Sequence, residues 1–191
     1  MKTNYFGALR MIKAVVPAMR VRRSGTIVNV TSVAGRVACS PQGAYAASKY
    51  ALEALSETLA QEMLRFGVRV HIIEPGVVLT PIFTKNLKEP DLSSPYADFT
   101  LRLGDFFVKR LKDPSPPELA VQVVDDAILA AEPKLRHAVG WDGDALINGR
   151  AAMTDEQWVD YGLPMTDTEV ATLWREKFRI DSTDFTPIVV A

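Results

Sequence analysis

The possible folds of this chain are restricted most by two short runs rich in β-branched residues. A long segment of strong helix formers separates the two runs. The runs are "TIVNV" at residues 26–30 and "VRVHII" at residues 68–73, and the segment between them is predicted to be helical over residues 44–66. Near-continuous apolar runs of this kind are typical of strands buried on both faces of a parallel sheet. Strands that alternate with helices indicate βα units, so the expected fold class is α/β, with a parallel sheet and flanking helices.

The remaining segments extend the same pattern. Residues 4–23 have apolar residues at helical spacing and end in a basic turn, which predicts a helix. "PPELAVQVVDDAILAAE" predicts a helix that begins at proline, and "LRHAVG" predicts a third strand. After that strand the sequence is expected to be turn-rich. "DGD" at residues 142–144 is predicted to form a turn, and two capping boxes start at Thr154 and Thr166.

Charge and cysteine content narrow the class of protein. The 191 residues carry a net charge of −1, which gives no electrostatic reason to expect a nucleic-acid partner. No apolar run reaches the roughly 18 residues that indicate a membrane span, so none is expected. The single cysteine, Cys39, cannot form an internal disulfide and fits a reducing compartment, so a cytoplasmic location is expected. The first acidic residue is Glu53, and this basic N-terminal part fits a transit peptide or a folded helix; the helical spacing favours the helix.

A tyrosine and a lysine lie four residues apart at the start of the helix predicted over residues 44–66. Tyr45 and Lys49 therefore share one helix face. A phenol has an unperturbed pKa of about 10 and is a poor base at neutral pH. A nearby ammonium and the positive end of the helix dipole both stabilise the phenolate and lower that pKa. Tyr45 is then suited to exchange a proton with an alcohol or carbonyl oxygen near neutral pH.

Polar residues also follow the predicted strands. Ser32 follows "TIVNV", and "PGVVLT" follows "VRVHII". Ligands of open α/β sheets bind beyond the carboxyl ends of the strands, where these segments and Tyr45 are expected to meet. Ser32 can hydrogen-bond the oxygen with which Tyr45 exchanges a proton. A hydroxyl, a phenol and an ammonium suit hydride chemistry, in which the hydride comes from a cofactor, and no metal site is predicted.

Four elements around these residues occur in one order: "NVTSVAG", an interval of thirteen residues from Ser32 to Tyr45, "YAASK" and "PGVVLT". Together they resemble the short-chain dehydrogenase/reductase family, and the resemblance covers Lys2 to about Ile147. It implies a Rossmann-type parallel sheet, NAD or NADP as cofactor, and a small-molecule alcohol or ketone as substrate.

The resemblance also assigns roles to individual residues. It implies that Tyr45 is the catalytic acid/base, that Ser32 orients the reacting oxygen, and that Lys49 lowers the pKa of Tyr45 and binds the nicotinamide ribose. Asn4 resembles the family's asparagine that helps to hold a proton-relay water. The implied cofactor contacts are Tyr45, Lys49, Pro75, Gly76, Val78 and Thr80.

Residues 80–112 resemble the family's mobile substrate loop. The aromatic residues in this part of the chain, which suggest an apolar pocket, are Phe83, Tyr96, Phe99, Phe106 and Phe107. Cys39, between the predicted catalytic serine and tyrosine, either lines that pocket or is a small buried hydrophobe.

The sequence departs from the family pattern at its start. The family's first strand, its T-G-x-x-x-G-x-G turn and its N-N-A-G strand are not found in this sequence. We therefore expect an N-terminally truncated, partial Rossmann-like domain over residues 1–191, with a catalytic half (1–80), a substrate loop (80–117) and a C-terminal helix, strand and tail (118–191). We expect such a chain to bind a nicotinamide cofactor poorly by itself, and "TIVNV" to form an exposed apolar edge.

The residues and the resemblance are compatible with two functions from different classes. The first is an NAD(P)-dependent oxidoreductase that interconverts a secondary alcohol and a ketone. Its substrate is implied to be lipophilic, because residues 35–63 are similar to family members that act on steroids and retinoids. The second is a catalytically inactive homologue that acts only through subunit association, since the family implies a homo-oligomer formed through residues 4–23 and 44–66. A lyase or epimerase that uses the same residues is a third possibility within the fold.

Overall fold

A three-stranded parallel sheet lies at the centre of the fold. In the computed structural model, which describes residues 1–85 and 89–188, the strands are β1 (Gly25–Val30), β2 (Val68–Pro75) and β3 (Arg136–Val139). β2 lies in the middle, and it pairs with β1 through its first six residues and with β3 through its last four. The predicted α/β class and the three predicted strands are confirmed.

Helices make up most of the remaining chain. A π-helical turn, Lys2–Gly7, leads into α1 (Ala8–Arg22), so the helix predicted over residues 4–23 is present with a π-helical start. The other α-helices are α2 (Gly43–Leu64), α3 (Ile82–Lys85), α4 (Ala97–Arg110), α5 (Pro117–Leu129), α6 (Trp141–Ala151), α7 (Asp155–Asp160) and α8 (Asp167–Leu173). No helix in the described part of the chain combines the length and the hydropathy needed to cross a bilayer.

The predicted substrate loop contains α3 and α4. Residues 86–88 of that loop lie outside the described residues.

The central strand and the first strand differ in burial. Ile72 and Ile73 of β2 are 0% and 1% exposed, as expected for a strand covered on both faces. In β1, Ile27 and Asn29 are buried, whereas Val30 is 53% exposed. Within residues 1–85 and 89–188, β1 pairs with β2 alone. Ile27 belongs to the apolar cluster on one face of the sheet and Val28 packs against the cluster on the other, so both faces of β1 are covered, as predicted, up to the exposed Val30. The prediction that "TIVNV" forms an apolar edge is confirmed in the described sheet.

Helices cover both faces of the sheet. On one face, α1 and α2 pack against β1 and β2 in a cluster that includes Ile12, Leu59 and Val70. On the other face, α5 packs against β2 and β3 in a cluster that includes Ala127 and Val139. Apolar residues thus fix the positions of the strand ends, beyond which the predicted site residues lie.

The C-terminal region is helical, and the prediction of a turn-rich region is wrong there. Residues 142–144 belong to the first turn of α6, although Gly143 and Gly149 lower its helix propensity. Packing explains one of these glycines, because a Cβ at Gly149 would overlap the ring of Phe178. Both predicted capping boxes are confirmed, at the starts of α7 and α8. A π-helical turn (Trp174–Phe178) and a hairpin of β4 (Ile180–Asp181) and β5 (Thr186–Pro187) complete the region.

Candidate active site

A cavity of 930 Å³ lies beyond the carboxyl ends of β1 and β2. Four of the predicted site residues line it: Ser32 after β1, Tyr45 in the first turn of α2, and Pro75 and Gly76 at the end of β2. This is the edge of an open α/β sheet at which ligands bind. The structure therefore brings residues from three separate stretches of sequence to one cavity.

A short 3₁₀ helix, Val33–Gly35, holds Ser32 in position. The Ser32 Oγ accepts a hydrogen bond from the backbone N–H of Ala34 at 3.1 Å, which makes Ser32 the N-cap of this helix. The same oxygen lies 3.5 Å from the carbonyl oxygen of Pro75, at the long limit for a hydrogen bond. Since that donor contact is weak, the Ser32 hydroxyl can rotate to donate to a ligand oxygen.

Tyr45 and Lys49 share one face of α2, as their spacing predicts. The Lys49 Nζ lies 5.7 Å from the centroid of the Tyr45 ring. Nζ also donates a hydrogen bond to the carbonyl oxygen of Val30 at 3.2 Å, which places the ammonium at the carboxyl end of β1. Tyr45 is 40% exposed and lines the cavity, whereas Lys49 is not among the described residues that line it.

Glu53 extends the same helix face by one more turn. Burial lowers the pKa of Lys49, and the negative charge of Glu53, four residues further along α2, acts in the opposite direction. Glu53 is itself buried. Glu53 therefore helps to keep the ammonium of Lys49 charged. Glu53 was not among the predicted site residues, although the spacing of four from Tyr45 to Lys49 to Glu53 is visible in the sequence.

Asn4 is connected to Tyr45 through two hydrogen bonds. The Asn4 Nδ2 donates to the Ser48 Oγ at 3.1 Å, and that hydroxyl donates to the carbonyl oxygen of Tyr45 at 2.7 Å. The π-helical turn that contains Asn4 is thus attached to the first turn of α2. The role of Asn4 in a proton relay stays a prediction.

The segment after β2 lies only partly at the cavity. Pro75 and Gly76 line it, whereas Val78 and Thr80, which were also predicted to contact the cofactor, are not among the described residues that line it. Val78 instead forms a parallel bridge with Ser115. The predicted cofactor segment therefore runs from the cavity onto the loop that precedes α5.

A buried ion pair holds this segment in place. The Asp142 Oδ1 accepts from the Arg110 guanidinium at 3.2 Å, and the Asp142 Oδ2 accepts from the backbone N–H of Val77 at 2.7 Å. Arg110 and Asp142 are 2% and 0% exposed. Arg110 also donates to the Ser115 Oγ and to the carbonyl oxygen of Asp113. α4, α6 and the end of β2 are thus joined at one point. This junction was not predicted, because the sequence indicated only a turn at Asp142.

Aromatic residues form the apolar wall of the cavity. Besides Tyr45, the aromatic residues that line the cavity are Phe83, Phe99, Phe106, Phe107, Trp158, Tyr161, Trp174 and Phe178. Four of the five aromatic residues predicted around the substrate loop are in this set; the fifth, Tyr96, is 64% exposed and lies outside it. Cys39 is half-buried and lines the cavity, which supports the first of its two predicted placements.

Glu74 of β2 is the centre of a second group of charges, in which the carboxylates of Glu74 and Glu53 are buried and the arginines are partly exposed. Its Oε1 accepts a hydrogen bond from Arg36 at 3.2 Å and lies 3.7 Å from the Arg136 Nε, which also pairs with Glu53 at 3.1 Å. Burial raises the pKa of Glu74, the charge of Glu53 acts in the same direction, and Arg36 and Arg136 oppose the shift. Glu74 is therefore a buried carboxyl group whose pKa lies above its ordinary value.

Replacing Glu74 by glutamine is expected to remove a pH dependence of stability. Between the ordinary carboxyl pKa of 4.5 and the raised pKa of folded Glu74, the folded state binds more protons than the unfolded state. The free energy of unfolding of the wild type therefore falls as the pH rises through this interval. We expect the wild type to lose stability there relative to Glu74→Gln, as measured by urea denaturation at a series of pH values.

Glu57→Gln provides a control for which the expected pH dependence of stability has the opposite sign. A hydrogen bond from Arg136, together with its charge, holds the pKa of Glu57 below the usual value. Stabilisation by such a group is present above the ordinary pKa and is lost as the pH falls toward the folded value. The wild type should therefore gain stability relative to Glu57→Gln as the pH rises through the interval below 4.5. A constant difference between wild type and Glu74→Gln across the whole series would contradict the assignment to Glu74.

Known proteins match the part of the chain that carries these residues. The family model described as "short chain dehydrogenase" matches residues 1–91. An uncharacterised oxidoreductase of Schizosaccharomyces pombe is 35% identical over 141 residues, which cover 72% of this chain and 58% of that protein. Retinol dehydrogenase 8 of Bos taurus is 37% identical over 144 residues, or 70% of this chain and 46% of the relative. 3-Ketodihydrosphingosine reductase of Bacteroides thetaiotaomicron is 36% identical over 143 residues, which cover 73% of this chain and 53% of that protein. The chain spans about half the length of these relatives.

Solved structures have the same fold. A short-chain dehydrogenase from Streptomyces avermitilis superposes with a TM-score of 0.68 at 33% identity, over 84% of this chain and 60% of that one. A short-chain dehydrogenase from Burkholderia cenocepacia, solved in complex with NADP, gives a TM-score of 0.62 at 26% identity, over 87% of this chain and 58% of that one. Motifs, fold and relatives agree, and the chain belongs to the short-chain dehydrogenase/reductase family.

Proposed function

We propose that this chain carries the catalytic site of an NAD(P)-dependent oxidoreductase that interconverts a secondary alcohol and a ketone. The observation that supports this most directly is the placement of Ser32 and Tyr45 on one cavity, with the Lys49 ammonium against the Tyr45 ring. Relatives named as a dehydrogenase and as a reductase support the same reaction class.

Tyr45 exchanges the proton of the substrate oxygen in this proposal. Lys49 lies on the same face of α2, with its Nζ 5.7 Å from the centroid of the Tyr45 ring. Ser32 donates a hydrogen bond to the same substrate oxygen and holds it while charge develops there. Asn4, acting through Ser48, keeps the backbone of Tyr45 in place at the start of α2.

The residues at the cavity fit the nicotinamide end of NAD or NADP. The hydroxyls of Ser32 and Tyr45 at the cavity, with the Lys49 ammonium beside the Tyr45 ring, supply the hydrogen-bond donors that ribose hydroxyls and a carbonyl oxygen require. Gly76 lets the segment after β2 lie directly against the Asp142 carboxylate, since a Cβ there would be 2.5 Å from that carboxylate. The residues that would hold the ribose and the carboxamide are Tyr45, Lys49, Pro75, Gly76, Val78 and Thr80. When bound, the cofactor supplies or accepts the hydride.

The substrate is a lipophilic alcohol or ketone in this proposal. The cavity is lined largely by aromatic and aliphatic side chains. Two relatives carry names that refer to retinol and to 3-ketodihydrosphingosine, both of which have long hydrocarbon parts. Apolar lining of this kind favours a ligand that buries hydrocarbon next to a single polar reacting group.

Reduced nicotinamide mononucleotide tests the proposal, because every residue assigned to the cofactor lies at its nicotinamide end. We expect the purified chain to oxidise this mononucleotide and NADH with comparable, millimolar KM values in the presence of a lipophilic ketone. The reaction is followed by the loss of nicotinamide absorbance. Absence of both binding and oxidation at millimolar nucleotide would contradict the proposal and leave subunit association as the function, to be measured by light scattering.

A further inference from the structure

Arg102 is a cation in an otherwise apolar part of the cavity. It lies on α4 between the aromatic residues Phe99 and Phe106, and all three side chains line the cavity. Arg102 is half-buried. Within residues 1–85 and 89–188, its guanidinium forms no ion pair and no hydrogen bond. Five N–H donors in a partly desolvated position are therefore free for a ligand.

The other charge at the cavity does not neutralise Arg102. Asp142 also lines the cavity, but its carboxylate is already paired with Arg110 and with the backbone N–H of Val77. The Arg110–Asp142 pair is neutral as a unit. The described lining of the cavity thus has one uncompensated positive charge, which belongs to Arg102.

The surroundings of Arg102 strengthen its electrostatic effect. Tyr161 lines the same cavity as Arg102. Burial raises the pKa of Tyr161, and the positive charge of Arg102 acts in the opposite direction. The Tyr161 ring stacks on Trp158 with a centroid distance of 5.5 Å, and Trp158 is held by a hydrogen bond to the carbonyl oxygen of Ala38. Aromatic walls exclude water, and a charge interacts more strongly with a ligand where water is excluded.

We propose that Arg102 binds the carboxylate of an amphipathic substrate whose hydrocarbon part fills the aromatic cavity. This inference rests on the proposed function and narrows its substrate class to lipophilic alcohols or ketones that end in a carboxylate. The planar guanidinium matches a carboxylate through two parallel hydrogen bonds, which a lysine could not supply. Ser32 and Tyr45 come from the β1–α2 side of the cavity and Arg102 from α4, so the substrate is held by separate groups at its reacting oxygen and at its anionic end.

Dodecanoate and its methyl ester test this inference without cofactor or turnover. Binding to the purified chain is measured by displacement of a neutral, environment-sensitive dye. We expect the chain to bind dodecanoate about tenfold more tightly than the ester, since a charge-assisted hydrogen bond is typically worth about this factor. Arg102→Gln should bring the two affinities together, leave the affinity for the ester unchanged, and retain the circular dichroism of the wild type. High salt should reduce the preference of the wild type.

Arg175→Gln is the matched control. Arg175 is exposed, lies next to Trp174 and is not among the described residues that line the cavity, so its loss should leave the preference for dodecanoate intact. Arg102→Lys keeps the charge and should retain part of the preference. Equal affinity of the wild type for acid and ester, or an unchanged preference in Arg102→Gln, would overturn the inference. Lack of NADH oxidation together with an intact carboxylate preference would count against the proposed function alone.

Discussion

Tyr45→Phe is expected to lower the turnover number for alcohol–ketone interconversion by about 100-fold to 10 000-fold, the range that general acid–base catalysis contributes. The substitution removes the hydroxyl that exchanges the substrate proton and keeps the ring that packs beside Lys49. Tyr45 is 40% exposed, so the change leaves no buried polar group without a partner. The rate is followed by nicotinamide absorbance at saturating nucleotide, and urea denaturation checks that stability is retained.

Tyr50→Phe is the matched control for this experiment. Tyr50 lies five residues further along α2, is 42% exposed, and donates a hydrogen bond to the carbonyl oxygen of Arg36 at 2.6 Å. It is not among the described residues that line the cavity. Loss of its hydroxyl therefore tests for a general effect of removing a phenol from this helix, and we expect turnover to stay near the wild-type value. Equal turnover in Tyr45→Phe and wild type would remove Tyr45 from the proposed chemistry.

The sequence was sufficient to predict the strands because each strand is a local pattern. "TIVNV", "VRVHII" and "LRHAVG" are short apolar runs bounded by turn or helix signals, and the structure confirms all three. Their relative burial was not predictable in the same way. Val30 is exposed because β1 has one neighbour in the described sheet, and the number of neighbours is a property of the whole fold rather than of the run itself.

The candidate site was predictable where its residues share one helix or follow one strand. Tyr45 and Lys49 are four residues apart, and helix geometry alone places them together. Glu53 continues that spacing and was overlooked rather than hidden. Arg102 lies three residues after Phe99 and four before Phe106, a spacing that places all three on one face of α4. The sequence did not indicate that this face lines the cavity, because that depends on the tertiary fold.

The pairing of Arg110 with Asp142 lies beyond what the sequence could predict. The two residues are separated by 32 positions and belong to different helices. Asp142 follows a strand and precedes two glycine-containing turns of helix, a context that predicts a surface turn. Burial of both charges depends on the close approach of α4, α6 and the segment after β2, which is a tertiary property. Such a pair is therefore visible only in the three-dimensional structure, because neither composition nor periodicity indicates which distant side chains meet.

Asp142→Asn is expected to lower the free energy of unfolding by about 3 to 5 kcal/mol, the usual cost of removing one partner from a buried ion pair. The substitution is nearly isosteric, so the loss comes from charge rather than from a cavity. It leaves the guanidinium of Arg110, whose side chain is 1% exposed, without its counter-charge. A loss of this size is a large fraction of the 5 to 15 kcal/mol that typically stabilises a domain. Urea denaturation measures it.

A double-mutant cycle distinguishes this electrostatic effect from a local packing defect. Arg110→Met alone should also destabilise the fold, because it leaves the Asp142 carboxylate buried with the Val77 N–H as its remaining partner in the ion-pair network. The combination of Asp142→Asn and Arg110→Met should cost less than the sum of the two single changes, since neither charge is then left uncompensated. Asp144→Asn, two residues further along α6 and exposed, should change stability by no more than about 0.5 kcal/mol. Additive single effects in the double variant would show that the two charges do not stabilise each other.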